Sequence, residues 1–319
     1  VAPAAGPDSG PRRASAPLIL ALAVVLLAAA PLPIFVLAPL AGLLAASRPR
    51  SFRAAGWLGV SLAGVVVWSL QAQGLLDEAI TAWAILVSGA FVCLALVRPM
   101  SLLRRASLAL VLGTLAAGAL GIVYDVSWRG LEVMAARDMA AGFADKARQL
   151  DEQGDGYAAA VELFRLLESQ SRAMAAMLPA TYVLGMLGAL AMAWRWHEVI
   201  ADEPLEPASR PFAEFRFADH WIWVLIGALA LALVGPVTGP VAALATNVLL
   251  VVLALYGARG LAILRQVLAG MSPPLVVLLG LVGLVLLIFT LSGLLVLGVA
   301  DTWLDLRRMA SDPNSRKDR

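Results

Sequence analysis

The stretch AITAWAILVSGAFVCLALV, from Ala79 to Val97, holds no Asp, Glu, Lys or Arg. It is long enough to cross the ~30 Å hydrocarbon core of a bilayer as one helix. Arg98, Arg104 and Arg105 follow it, and a second uncharged run then extends from Ala106 to Tyr124. In the other direction, Asp77 and Glu78 separate it from a third run, Ala54 to Leu76. The same alternation governs the rest of the chain, where Ala14 to Ser47, Ala173 to Trp194, His220 to Ala258 and Gln266 to Ala300 are also free of formal charge. A charge at the bilayer centre costs about 2.5 to 3.5 kcal/mol even on insertion scales, so lipid is the solvent that segregates charge in this way.

Composition agrees. Of 319 residues 61% are hydrophobic and only 14% charged, with a mean hydropathy of +0.85. Soluble domains have about 25% charged residues. The net charge of +2 comes from short basic clusters between apolar runs, which excludes a phosphate-binding stripe and with it nucleic acid as a partner. The single cysteine, Cys93, lies inside an apolar run, so neither a disulfide framework nor a thiolate metal site is expected.

The fold class that follows is all-α: a polytopic transmembrane helical bundle of about 8 to 10 membrane helices, including short broken ones, with an external amphipathic helical hairpin. Residues 1–16 read as a flexible cytoplasmic tail, with a cleaved signal peptide as the rival reading of the N-terminal stretch. Residues 17–124 form an N-terminal membrane bundle, 125–172 the extracytoplasmic hairpin, 173–306 a C-terminal membrane bundle and 307–319 a basic cytoplasmic tail. Pro31-Leu32-Pro33 divides the first run into short helices over 17–30 and 33–46. Gly235-Pro236-Val237-Thr238-Gly239-Pro240 divides another into spans near 221–235 and 241–258. The last run is expected to break at Thr290 to Gly293, returning the basic tail to the cytoplasm. Arginines at 48, 50 and 53, at 98, 104 and 105, at 195, 210 and 216, and at 259 and 265 mark one side of the membrane. They assign the N-terminus and those loops to the cytoplasm of a bacterial inner membrane.

The one sizeable extramembrane segment has two helical repeats of apolar residues. Leu131, Met134, Ala135, Met139, Gly142, Phe143, Ala147 and Leu150 form the first, and Tyr157, Val161, Phe164 and Leu167 the second. Gln153-Gly154-Asp155-Gly156 punctuates them. The stripes are expected to pack on the bundle or to lie in the headgroup layer.

Chemistry at membrane depth needs ionisable groups, and the predicted spans have none. His197 and His220 sit at span boundaries among tryptophans, without the spacing of a zinc site, and read as interfacial anchors. No nucleotide loop or nucleophile elbow is present, so no cofactor and no enzymatic activity are expected. Small-residue spacings at Ala38, Gly42 and Ala46, at Gly113, Ala117 and Gly121, and at Gly185, Ala189 and Ala193 suit close helix packing. Among uncharged polar groups, Asn247 stands out beside Thr246, because a primary amide in hydrocarbon must find partners. A helix-to-helix hydrogen bond and a ligand contact are both open to it. Tyr124 and Asp125, at the outer end of a span, complete the candidate ligand-binding set. Asp301, Asp305, Arg307 and Arg308 are the densest charged constellation at a span end. They read either as a headgroup anchor with local ion pairs or as a contact to a cytoplasmic protein partner.

Several of these residues carry a resemblance. Pro211-Phe212-Ala213-Glu214-Phe215-Arg216 before a span, Asn247, Tyr256 with Gly260-Leu261-Ala262, and the closing Gly298-x-x-Asp301-x-x-x-Asp305-x-Arg307 resemble the YybS-like family of predicted bacterial membrane proteins. The Pro31-Leu32-Pro33 turn and the outer helical pair fit as well. That family is distantly similar to the substrate-binding S components of energy-coupling-factor transporters. The resemblance implies a small-solute-binding or transport component in the bilayer, with a small-molecule ligand and a membrane or coupling partner. The Ala-x-x-x-Ala spacing by which S components dock falls here on Ala41 and Ala45. A non-catalytic membrane scaffold or partner-binding protein is the alternative.

Overall fold

The structure is a computed structural model, and it describes residues 33–72, 74–154, 157–206, 211–234, 240–268 and 271–304. Among these there are helices and turns but no strand. In chain order the helices are α1 (Ile34–Ala46), α2 (Phe52–Gln71), α3 (Leu75–Val97), α4 (Leu102–Val123), α5 (Trp128–Asp151), α6 (Ala158–Ala176), α7 (Leu178–Ile200), α8 (Trp221–Val234), α9 (Pro240–Leu268), α10 (Pro273–Val285) and α11 (Leu287–Leu304). A 3-10 turn, Phe212–Glu214, precedes α8. Helices α2, α3, α4, α9 and α11 are long and apolar enough to cross a membrane, and the bent pair α6–α7 makes six if it counts as one span. The shorter apolar helices are α1, α8 and α10. The chain is a multi-pass helical membrane protein.

Local signals explain the boundaries. Ser51 caps α2 by accepting from the amide of Ala54, and Ser127 caps α5 by accepting from Gly130. Gly74, with φ +107°, opens α3, and Asp77 and Glu78 follow in its first turn, where the helix dipole favours them. The short helix expected over 33–46 is α1, which starts immediately after Pro33. The expected 17–30 helix lies outside the described residues.

Helix α1 is the axis of the first half. Ile34, Leu40, Leu43 and Leu44 are fully buried, and Phe35 packs edge-on against Trp83 of α3 and Tyr182 of α7. Helices α3 and α4 meet at backbone range, since a Cβ on Gly113 would lie 2.7 Å from Val87 Cα. Trp83 Nε1 donates to Thr114 Oγ1 at 3.0 Å across the same contact. The hairpin α5–α6 closes on its facing sides through Phe143 and Phe164, with Ala147 and Val161 buried between them. Val161 and Phe164 of the second apolar repeat are therefore packing residues.

Three expectations need correction. The last apolar run does not break at Thr290 to Gly293, which is helical within α11. It breaks at Leu286, where Thr290 Oγ1 donates to the carbonyl of Gly283 at 3.0 Å and so satisfies a group that the kink exposes. The arginines at 259 and 265, expected in a loop, lie within α9, which is uninterrupted as far as Leu268. The long helices are also not free of charge: Asp77 and Glu78 lie in α3, Arg105 in α4, Arg259 in α9 and Asp301 in α11. A sequence window cut at each arginine loses the charges that a helix carries into its neighbours.

Helices α9 and α11 cross antiparallel with almost no space between backbones. A Cβ on Gly260 would sit 1.9 Å from the carbonyl oxygen of Leu294, and one on Gly298 1.9 Å from that of Tyr256. Gly260→Ala and Gly298→Ala should each destabilise the protein by about 1 to 3 kcal/mol or more. Gly257→Ala should be neutral, since nothing lies within 4 Å of its Cβ position. Melting curves of the three variants in one detergent check this ranking.

Candidate functional site

The candidate residues distribute over three places. Asn247 lies on α9 against the junction of α6 and α7, which bends by 71° at Met177. Its amide oxygen accepts from the Ala180 amide at 2.8 Å, and its Nδ2 donates to the carbonyls of Ala176 and Ala243, both at 2.8 Å. A helix break leaves an amide and a carbonyl without intrahelical partners, and one primary amide serves both here. Thr246 beside it is half-buried. Tyr124 and Asp125 are elsewhere, at the exposed turn between α4 and α5, with Asp125 at φ +55°. Among the described residues no hydrogen bond or ion pair joins them to Asn247.

Asp301 occupies the most charged interior site. Its Oδ2 accepts from Arg259 Nε at 2.8 Å, its main-chain carbonyl accepts from Arg259 Nη2 at 3.1 Å, and both side chains are fully buried. Asp219, in the segment before α8, accepts from Arg259 Nη1 at 3.1 Å and is half exposed. The guanidinium stands 5.5 Å from the centroid of Phe217, whose ring meets Tyr256 edge-on at 5.1 Å. Three chain segments thus converge on one cation. Every guanidinium nitrogen has an acceptor, as burial of an arginine demands. Asp305, Arg307 and Arg308 lie outside the described residues.

A second buried arginine lies nearby on α4, where Leu103 packs against the Phe217 and Tyr256 cluster. Arg105 is fully buried, pairs with Glu206 and stacks 4.5 Å from the centroid of Trp194. Glu206 belongs to a short acidic strap after α7. Within it, Asp202 accepts from the amides of Arg50 and Ser51 at 2.8 and 2.7 Å, and Glu203 pairs with Arg50. The Ser51 side chain and the two amides hold the Asp202 carboxyl below the usual carboxylate range. The strap ties the α1–α2 turn, through Arg50 and Ser51, and the first turn of α4, through Arg105, to the end of α7. His197, expected at the headgroups, is fully buried beside Trp194.

Between α7, α9 and α11 runs a partly open cleft of about 680 Å³. Ala180, Thr181, Ala254, Gly257, Ala258 and Ser292 are among its lining residues, and among the described residues the two hydroxyls are its only side-chain polar groups. It adjoins Arg259 in sequence at Gly257 and Ala258. No metal-binding cluster of His, Cys, Asp or Glu occurs among the described residues.

The sequence reading missed Arg259, Asp219, Arg105 and Gly257. Arg259 was legible only as a topology marker, and the clue to its burial was the pair of glycines, Gly260 and Gly298, that let α9 and α11 meet. Residues 16–302 match the family described as Predicted membrane protein (DUF2232). No curated protein and no solved structure matches the chain.

The geometry ranks the two carboxylates. Asp301→Leu leaves Arg259 buried without its main counter-charge and should cost about 3 to 5 kcal/mol. Asp219→Asn removes a half-exposed partner and should cost under about 1 kcal/mol. Chemical or thermal unfolding of the two variants in detergent measures the difference.

Proposed function

From the premise that this chain belongs to the DUF2232 family of predicted membrane proteins, we propose that it is a small-solute-binding or transport component of the bacterial inner membrane. In this reading it is a YybS-like protein, distantly similar to S components, with its arginine face and N-terminus in the cytoplasm and no catalytic activity. The observation that carries the reading is the cleft bounded by α7, α9 and α11. Its volume falls within the usual 300 to 1,000 Å³ of small-molecule sites. Walls of alanine, glycine and leucine with two hydroxyls suit a small, largely apolar solute with one or two hydrogen-bonding groups.

Two further features support it. Discontinuous helices adjoin the cleft, at Met177 and at Leu286, and such breaks characterise solute sites in membrane carriers. Buried ionisable residues in membrane helices commonly mark solute or ion pathways, and Arg259, which pairs with Asp301, follows the cleft-lining Gly257 and Ala258 in sequence. The rival reading, a membrane scaffold, draws on the same pair, in which each guanidinium nitrogen of Arg259 donates to Asp301 or Asp219.

A thermal-shift screen of the purified chain against vitamins, nucleosides and amino acids tests the proposal. A member of the panel should raise the melting temperature, and Gly257→Leu, which fills the cleft, should abolish that shift while leaving the ligand-free melting temperature within a few degrees. A panel without any shift, together with reproducible recovery of the same protein partners from membranes, would favour the scaffold.

A further inference from the structure

Helix α6 has a face that the hairpin does not use. Its contacts with α5 and the bundle are made by Val161, Phe164, Ser171 and Ala175. Leu163, Leu166, Met174 and Met177 remain 53, 57, 36 and 41% exposed. At about 100° per residue these four fall within an arc of roughly 80°. Glu162, Arg165, Glu168 and Arg172 occupy a separate arc, so the exposed surface of α6 has an apolar side and a charged side.

The break at Met177 sets the orientation of that surface relative to α7. Helix α7 packs among the membrane helices through Tyr182, Met186, Leu190 and Trp194, and α6 leaves it at 71°. With α7 near the bilayer normal, α6 lies about 20° from the membrane plane. Asn247 holds both ends of the break, so the angle is built into the bundle. Gln170 also stands within this arc, and the arc ends at Met177, whose carbonyl accepts from the hydroxyl of Thr181, a residue that lines the cleft between α7, α9 and α11. Aromatic residues of the kind that settle at headgroups are exposed at both ends of the hairpin, Tyr124 and Trp128 at its base and Tyr157 near its tip.

We propose that the α5–α6 hairpin is a monotopic element lying flat on the outer surface of the bilayer, with Leu163, Leu166 and Met174 of α6, and Met177 just after it, inserted at the boundary between headgroups and acyl chains. The occupant of the face is lipid. The attachment is apolar in origin, because the segment from Asp125 to Arg172 has more acidic than basic residues and offers no basic patch to anionic headgroups. This inference is independent of what the cleft binds.

The test uses the full chain with Cys93→Ala and single cysteines replacing Glu162, Leu163, Arg165, Leu166 or Met174, each labelled with an environment-sensitive fluorophore. The labelled chains are reconstituted in phosphatidylcholine nanodiscs, with or without phosphatidylglycerol. Labels at positions 163, 166 and 174 should emit at shorter wavelength and be quenched by a nitroxide high on the acyl chain. They should resist aqueous iodide several-fold better than labels at 162 and 165, with no change on adding phosphatidylglycerol. Iodide quenching at 163 and 166 as strong as at 165 would overturn the proposal, as would protection that appears only when a second protein is added. Variants that elute as monodisperse bundles in detergent are the ones compared, so misfolding does not enter the reading.

Discussion

The second half of this protein depends on the contact between α9 and α11. Two glycines, Gly260 and Gly298, each face a carbonyl of the other helix at a distance no side chain could occupy. That approach brings Arg259 and Asp301 within 2.8 Å of each other away from water. In a bilayer there is no hydrophobic force to drive helix against helix, so close backbone packing and polar contacts supply the attraction. Here one feature makes the other usable: without the glycines the guanidinium would be a buried charge lacking its counter-ion. Asp219 then draws the entry to α8 onto the same cation.

A related constraint shapes the rest of the bundle, since every backbone group freed inside an apolar environment must be paired again. Each break in the described chain has such a device. Asn247 spans the gap between α6 and α7, and Thr290 reaches back to Gly283 across the kink before α11. Asn247 and Thr290, polar in the sequence, are therefore consumed by the architecture. The cleft between α7, α9 and α11 and the apolar residues of α6 that α5 leaves exposed are outside these devices.

Much of the architecture was legible because the bilayer imposes it on composition. The uncharged runs 54–76, 79–97 and 106–124 correspond to α2, α3 and α4, and Pro33 stands immediately before α1. The glycine at 154 marked the hairpin turn. The site was less legible. An arginine at the end of an apolar run signals topology on average, and Arg259 differs only through Gly298 and Asp301, some forty residues away, which a local window does not bring together. The exposed arc of α6 was hidden for a different reason: helical periodicity alone does not say which of two apolar stripes meets the partner helix. Asn247 was singled out correctly as an amide needing partners, but its partners are backbone groups at a break whose position no side chain announces.

The central claim is that Arg259 and Asp301 are one buried unit rather than two interfacial charges. The direct measurement is a double-mutant cycle on unfolding free energy with Arg259→Met, Asp301→Leu and the double substitution, with Asp219 retained in all. If the pair is buried, each single variant loses about 3 to 5 kcal/mol and the double variant regains most of it, because no uncompensated charge is left inside. Losses that simply add, or that stay within about 0.5 kcal/mol for each single change as at a solvated surface, would contradict the account.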